Sequence, residues 1–148
     1  MKIVVKKLAE LSSEEWCDLV AERIKVFVVE QHCPYQEVDQ DDHHAYHLVL
    51  KDGKNSLVGY TRIYRRNDGK ATFGRVLVPK EYREKNYGRQ LVQATIDEAH
   101  KLFPHENIQI QAQAYLENFY HSFGFQPISK IYLEDNIPHL DMLLKGAN

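Results

Sequence analysis

Between Phe73 and Arg89 the chain reads FGRVLVPKEYREKNYGR, and the second half of that stretch has the composition of an anion site. Arg83, Lys85 and Arg89 bring three positive charges to the polar run Glu84, Asn86, Tyr87 and Gly88, against one negative charge at Glu84. After Gly88 the apolar residues Leu91, Val92, Thr95, Ile96, Ala99, Leu102 and Phe103 recur at helical spacing. Before it, Gly74, Val76 and Val78 alternate as in a strand, which Pro79 stops. A loop that opens a helix offers unpaired backbone N–H groups and the positive end of the helix dipole, a setting that suits phosphate. Neither G-x-x-x-x-G-K-[ST] nor G-x-G-x-x-G is present, so this is a phosphate cradle of another kind.

A second group of residues is competent to bind metal. Asp39, Asp41, Asp42, His43, His44 and His47 lie close together, but an EF-hand counted from Asp39 would need glycine where His44 stands and glutamate where Leu50 stands. H-E-x-x-H is absent as well. The simpler expectation is a polar loop entering a strand, with no metal. Arg62, Arg65 and Arg66 read as a solvated strand edge, with contact to a phosphate of the ligand as their second use.

The elements that must position these groups follow from periodicity. Ile3–Val5 is β-prone. Ser12-Ser13-Glu14-Glu15 fits a capping box, Leu11 and Trp16 a hydrophobic staple, and Trp16, Leu19, Val20, Ile24 and Phe27 one face of the helix that follows. Pro34 stops helix propagation in the mixed stretch beyond it. Strands are expected at 47–50, 57–64 and 71–78, with turns at 51–55 and 67–69. Past the central helix, Ile108, Ile110 and Ala112 alternate with Gln109, Gln111 and Gln113. A short helix over 115–122 ends near Gly124, and the tail forms two strands around Glu134-Asp135-Asn136. The order β, α, three strands, α, β, α, two strands predicts an α/β protein with a mixed sheet, the strands on either side of the central helix running parallel.

Composition bounds the rest. A chain of 148 residues, 43% hydrophobic and 27% charged, is expected to form a single domain, 1–148, of ordinary globular type. The net charge of −2 argues against a nucleic-acid partner. MKIVVKKLAEL shows no long apolar run or cleavage site, which predicts a cytoplasmic protein without a membrane segment. Cys17 and Cys33 are expected to be reduced.

The loop resembles the [RQ]-x-x-G-x-[GA] pyrophosphate grip of the GNAT N-acetyltransferases, with Asn86 where that family has its middle glycine. Asn tolerates a left-handed backbone, so the turn survives. Glu84 stands where glycine is common, and its carboxylate must point away from the phosphates. Ala114–Tyr120 followed by Gly124-Phe125 is similar to the GNAT ending in which a helix carries a tyrosine before a G-F pair, with Gln113 in place of the usual asparagine. VFVVEQHCPYQEVDQDD, FGRVLV, QAQAYLENFYHSFGF and YLEDNIPHLDM extend the likeness to the ElaA branch of that family.

The resemblance implies the GNAT fold, a central twisted mixed sheet flanked by helices. It also implies acetyl-coenzyme A as co-substrate and transfer of its acetyl group to a primary amine of a small molecule or peptide. Arg83 to Arg89 would hold the pyrophosphate, with Gln113 and Asn118 also near the coenzyme. Val76, Leu77 and Val78 would pair with the pantetheine arm as a strand pairs at a sheet edge, one N–H facing the thioester oxygen. Tyr120 would act as general acid. The base is open among Glu30, His32, Glu37, Asp39, His47, Glu134 and His139, with Glu30 and His32 put forward. A coenzyme A-binding sensor without turnover is the rival reading, and the protein is expected as a monomer or homodimer.

Overall fold

The computed structural model describes residues 1–146. Strands β1 (Lys2–Lys7), β2 (Tyr46–Lys51), β3 (Leu57–Arg65), β4 (Ala71–Leu77), β5 (Ile108–Gln113), β6 (Gln126–Pro127), β7 (Tyr132–Glu134) and β8 (Ile137–Leu144) form one mixed sheet. Its order is β1-β2-β3-β4-β5-β8-β6, with β7 paired to β8. The helices are α1 (Ser13–Ile24), α2 (Tyr87–Leu102) and α3 (Glu117–His121). The expected element order holds except for β6, whose two residues are too few to show an alternation.

Two apolar layers cover the sheet. Leu48, Leu50, Ile63, Phe73, Ile108, Ile110, Leu140 and Met142 pack with Leu91, Val92, Ile96 and Ala99 of α2. Gly59 makes the fit possible, because a Cβ there would lie 3.3 Å from the Leu91 methyls. On the other face Val49, Tyr60 and Leu77 pack with Leu19, Val26 and Phe27. Strands covered on both sides need apolar residues at successive positions, which is why β2 reads as a continuous run.

Helix α1 starts as its sequence dictates. Glu15 N–H donates to Ser12 Oγ at 3.0 Å, and Ser12 N–H donates to Glu15 Oε1 at 2.9 Å. Its buried face differs from the expected one. Ile24 is 39% exposed, while Arg23 is fully buried. Five residues beyond Leu19, at ~100° per residue, Ile24 is rotated well off the Leu19 face, whereas the i+4 position, Arg23, falls on it. A π-helical turn, Lys25–Glu30, then carries Val26 and Phe27 into the core.

Among the described residues the only parallel neighbours in the sheet are β4 and β5, joined through α2, and they pair at a single position, Ala71 with Ile108. Beyond it the two strands part, and the sheet is split.

Candidate active site

The split is a cavity of about 740 Å³, within the range of small-molecule sites. One wall is β4, from Thr72 to Val76 with Val78 beyond it, and the other is β5, from Ile110 to Gln113. Val26, Phe27, Glu30 and Tyr35 close it from the α1 side, Tyr115, Leu116 and Tyr120 from the α3 side, and Glu134, Asp135, Ile137 and His139 from the last hairpin. A second cavity of about 310 Å³ lies against the N-terminus of α2. Its walls include Glu84, Asn86, Tyr87, Gly88, Arg89 and Phe119, and it shares Val78 and Arg83 with the first.

At that helix end Asn86 is the N-cap, with φ +65°, the left-handed backbone for which Asn is suited. Glu84 is also left-handed, at φ +66°. The first turn of α2 contains no acidic residue. Arg89 stacks over Phe119 and Phe123 and donates to Ser122 Oγ at 2.9 Å. Arg83 donates to the Val78 carbonyl at 2.9 Å and to both Glu30 oxygens, at 2.6 and 3.1 Å. About a third or more of each of these two side chains is exposed, at 39% and 34%, so the pair is worth only ~0–1 kcal/mol.

On β4 the ladder to β3 slips. Tyr60 faces Leu77 and Arg62 faces Gly74, so three steps along β4 match two along β3, a β-bulge at Arg75–Val76. Arg75 has φ +52°, a conformation that costs a side-chain-bearing residue roughly 1–3 kcal/mol unless its surroundings fix it. They do. Its guanidinium donates to Glu37 Oε1 at 2.8 Å and to the Glu37 carbonyl at 2.9 Å, pairs with Asp39, and lies 5.2 Å over the Tyr35 ring. Sequence reading missed this residue. The available signal was Gly74, a lone glycine inside a strand pattern, which often marks a bulge.

Behind Arg75 is a buried charge network. Arg23 donates to Glu37 Oε1 at 3.0 Å and to the two oxygens of Asp42 at 2.7 and 3.1 Å. Arg62 holds Asp39 at 2.6 and 3.0 Å and lies 3.1 Å from Asp42. Burial works to raise the Asp42 pKa, but the Arg23 hydrogen bonds and charge prevail and hold it at about 2. The expected solvated edge therefore fails at Arg62, which is 2% exposed, and the expected polar loop into the strand is present but partly interior, with Asp42 and His47 buried and His43 and His44 exposed. Among the described residues no group of side chains is arranged to hold a metal ion.

Tyr120 is buried against Phe73, Phe119 and Phe125 and lines the larger cavity. Burial pushes its hydroxyl above the ordinary tyrosine value, so it stays protonated at neutral pH. Val76, Val78 and Gln113 line the same cavity. Leu77 does not: successive strand side chains point to opposite faces, and its side chain is buried with Tyr60 and Leu19. Asn118 is exposed outside both cavities, about 200° around the helix from Tyr120. Lys85 and His32 are likewise exposed and line neither. His47 lies outside as well, with both ring nitrogens engaged: Nε2 donates to the Asp42 carbonyl at 3.1 Å, and Nδ1 accepts from the Tyr60 hydroxyl at 2.6 Å. Burial lowers its pKa and favours that neutral form. Cys17 and Cys33 are both free.

A sheet split between two parallel strands, with a helix N-terminus at one end of the opening, is the architecture of the acyl-CoA N-acyltransferases. The profile described as "Acetyltransferase (GNAT) domain" matches residues 10–145, and the chain belongs to this family. It is 40% identical over 137 residues to protein ElaA of Escherichia coli (strain K12), covering 90% of each chain. The crystal structure of Escherichia coli ElaA superposes with a TM-score of 0.89 at 36% identity, over 97% of this chain and 99% of that one. An acyl-CoA N-acyltransferase from Pseudomonas aeruginosa superposes equally well, with a TM-score of 0.89 at 34% identity and the same coverage. Among the described residues no helix is long and apolar enough to cross a membrane.

Proposed function

We propose that the protein transfers the acetyl group of acetyl-coenzyme A to a primary amine, on a small molecule or peptide, by direct attack. The observation that carries this reading is the opening between β4 and β5, which joins at Val78 and Arg83 the cavity at the N-terminus of α2. An extended acyl-pantetheine arm needs a strand edge to pair with, and β4 beyond Ala71 has no strand beside it on that side. A pyrophosphate needs N–H groups and few competing carboxylates; the first turn of α2 has none, although Glu84 lines the same cavity.

The chain's own groups then have separate tasks. The bulge at Arg75–Val76 frees a backbone N–H from the β3 ladder to face the thioester oxygen. Tyr120, kept protonated by burial, donates to the departing thiolate. Arg83 exchanges Glu30 for the pyrophosphate, joined by Arg89 and the backbone of residues 84–88.

The test is release of free coenzyme A from acetyl-coenzyme A across a panel of monoamines, diamines and lysine peptides. Amine-dependent release is the expected result. The second reading is a coenzyme A sensor that kept the cradle and lost turnover, and the features behind it are Asn86 and Glu84, the two left-handed residues that line the small cavity. Tight binding with no release across the panel would favour that sensor.

A further inference from the structure

Seven residues of the sequence were competent to take a proton from the acceptor amine, and their surroundings separate them. Glu37 and Asp39 are held by arginines, Glu30 by Arg83, and His47 has no lone pair to spare. His32 lies outside the cavity. Glu134 and His139 line it, neither with an ion-pair partner among the described residues, and Glu134 is exposed at the end of β7.

His139 differs in how its ring is held. Nδ1 lies 2.7 Å from the Ile137 carbonyl oxygen. A carbonyl only accepts, so Nδ1 carries the hydrogen, and the lone pair of the neutral ring is on Nε2. The ring stacks on Tyr132, its cross-strand partner, at 6.3 Å and 23°, and the Tyr132 hydroxyl is fixed on Asp141 at 2.6 Å. A base with its free nitrogen chosen by a backbone bond and its plane set by stacking needs little reorganisation.

Its position relative to Tyr120 supplies the second half of the argument. Leu140 and Met142 are buried in the layer that contains Tyr120 and α2. Strand side chains alternate, so His139 and Asp141 lie on the opposite face of β8. Across the ladder His139 is opposite Gln113, and Leu140 is opposite Ala112. Tyr120 and His139 therefore stand on the two faces of the sheet and both line the one cavity that opens through the split.

We infer that His139 is the general base for the acceptor amine, acting from the face of the sheet opposite Tyr120. This rests on the acetyl-transfer reading above. The ammonium gives one proton to Nε2, and the freed amine attacks the thioester carbonyl, forming the C–N bond. The C–S bond breaks, and the thiolate takes the Tyr120 proton. The second proton of the nitrogen returns to Tyr120 through water, and the proton on Nε2 leaves to bulk solvent, so one proton is released per acetyl group transferred.

The experiment compares coenzyme A release by the unaltered protein, His139→Asn, His139→Ala, Glu134→Gln and Tyr120→Phe, using acetyl-coenzyme A and the amine that gives the fastest release. His139→Asn keeps a side-chain N–H for the Ile137 carbonyl and removes Nε2. Its melting and coenzyme affinity should stay close to those of the unaltered protein, and kcat should fall by about 10²–10⁴-fold. Added imidazole should raise the rate of His139→Ala and not that of Tyr120→Phe, a rescue that a purely structural histidine would not show. Release by His139→Asn at the unaltered rate overturns the inference and leaves acetyl transfer standing, as does a large loss in Glu134→Gln alone. No release by the unaltered protein with any amine overturns both.

Discussion

The two ends of the cavity are built differently. At the α2 end the expected ligands are mostly main chain: N–H groups opened by a left-handed Asn86, with Arg83 and Arg89 held at the rim by bonds to Glu30, Val78 and Ser122. At the other end the backbone is held by side chains, with Arg75 fixed by Glu37 and Asp39, which are fixed in turn by Arg23 and Arg62. A main-chain site tolerates changes of side chain and depends on the local turn. A side-chain site depends on partners far apart in sequence and fails when one is lost. Recognition of the coenzyme should accordingly be robust, and chemistry beside the bulge brittle.

The hardest test of that contrast is at Tyr120, on the chemical side. Tyr120→Phe keeps the ring against Phe73 and Phe125 and removes the proton. Turnover should fall by about 10²–10⁴-fold with the coenzyme dissociation constant within about threefold, measured by thiol release and by titration. Lost binding would make Tyr120 a packing residue.

Next comes the network. Arg23→Met strands the buried carboxylates of Glu37 and Asp42 without their shared partner, and urea unfolding should show a loss of about 3–5 kcal/mol. The same network sets an acid limit. Because the folded Asp42 pKa is depressed from 3.8 to about 2, its contribution is whole above that ordinary value and is lost as pH falls toward about 2. Asp42→Asn should flatten stability across that window. An unchanged slope would mean that the acid limit is set elsewhere.

The coenzyme end should respond more mildly. Acetyl-coenzyme A at a hundredfold excess over its dissociation constant should stabilise the fold by roughly 2.7 kcal/mol in a thermal melt. Arg83→Ala should weaken binding by about tenfold, or about 1.4 kcal/mol, and leave the remainder less sensitive to salt. A loss of several hundredfold would put the site on that one side chain, against the comparison. The smallest effect is expected at Glu84→Gly. Relief of the left-handed backbone is offset by greater freedom of the unfolded chain, so stability should change by under about 1 kcal/mol. Binding should tighten, because a carboxylate lining the small cavity is gone. Weaker binding would show that Glu84 serves the site.

The difference between the two ends is also a difference in what the sequence reveals. The helix cap at Ser12, the strand alternations and the Asn86 turn are set by residues within a few positions of one another, so spacing alone exposes them. The parallel neighbours β4 and β5 follow from chain order, because a helix lies between them. The buried face of α1 did not read correctly, since an arginine on it makes sense only once Glu37 and Asp42, 14 and 19 residues away, are brought beside it. The bulge at Arg75 needs Glu37, 38 residues before it. The choice of His139 needs a tautomer fixed by the Ile137 carbonyl and a ring stacked across a hairpin. Local rules govern whatever the backbone does within a turn of itself, and there the sequence by itself determined the Asn86 turn, the order of the main elements and the parallel neighbours beside α2. The pairing of buried charges depends on distances that exist only after the chain has folded, so the clamp on the bulge and the ranking of the bases were decided by the tertiary structure.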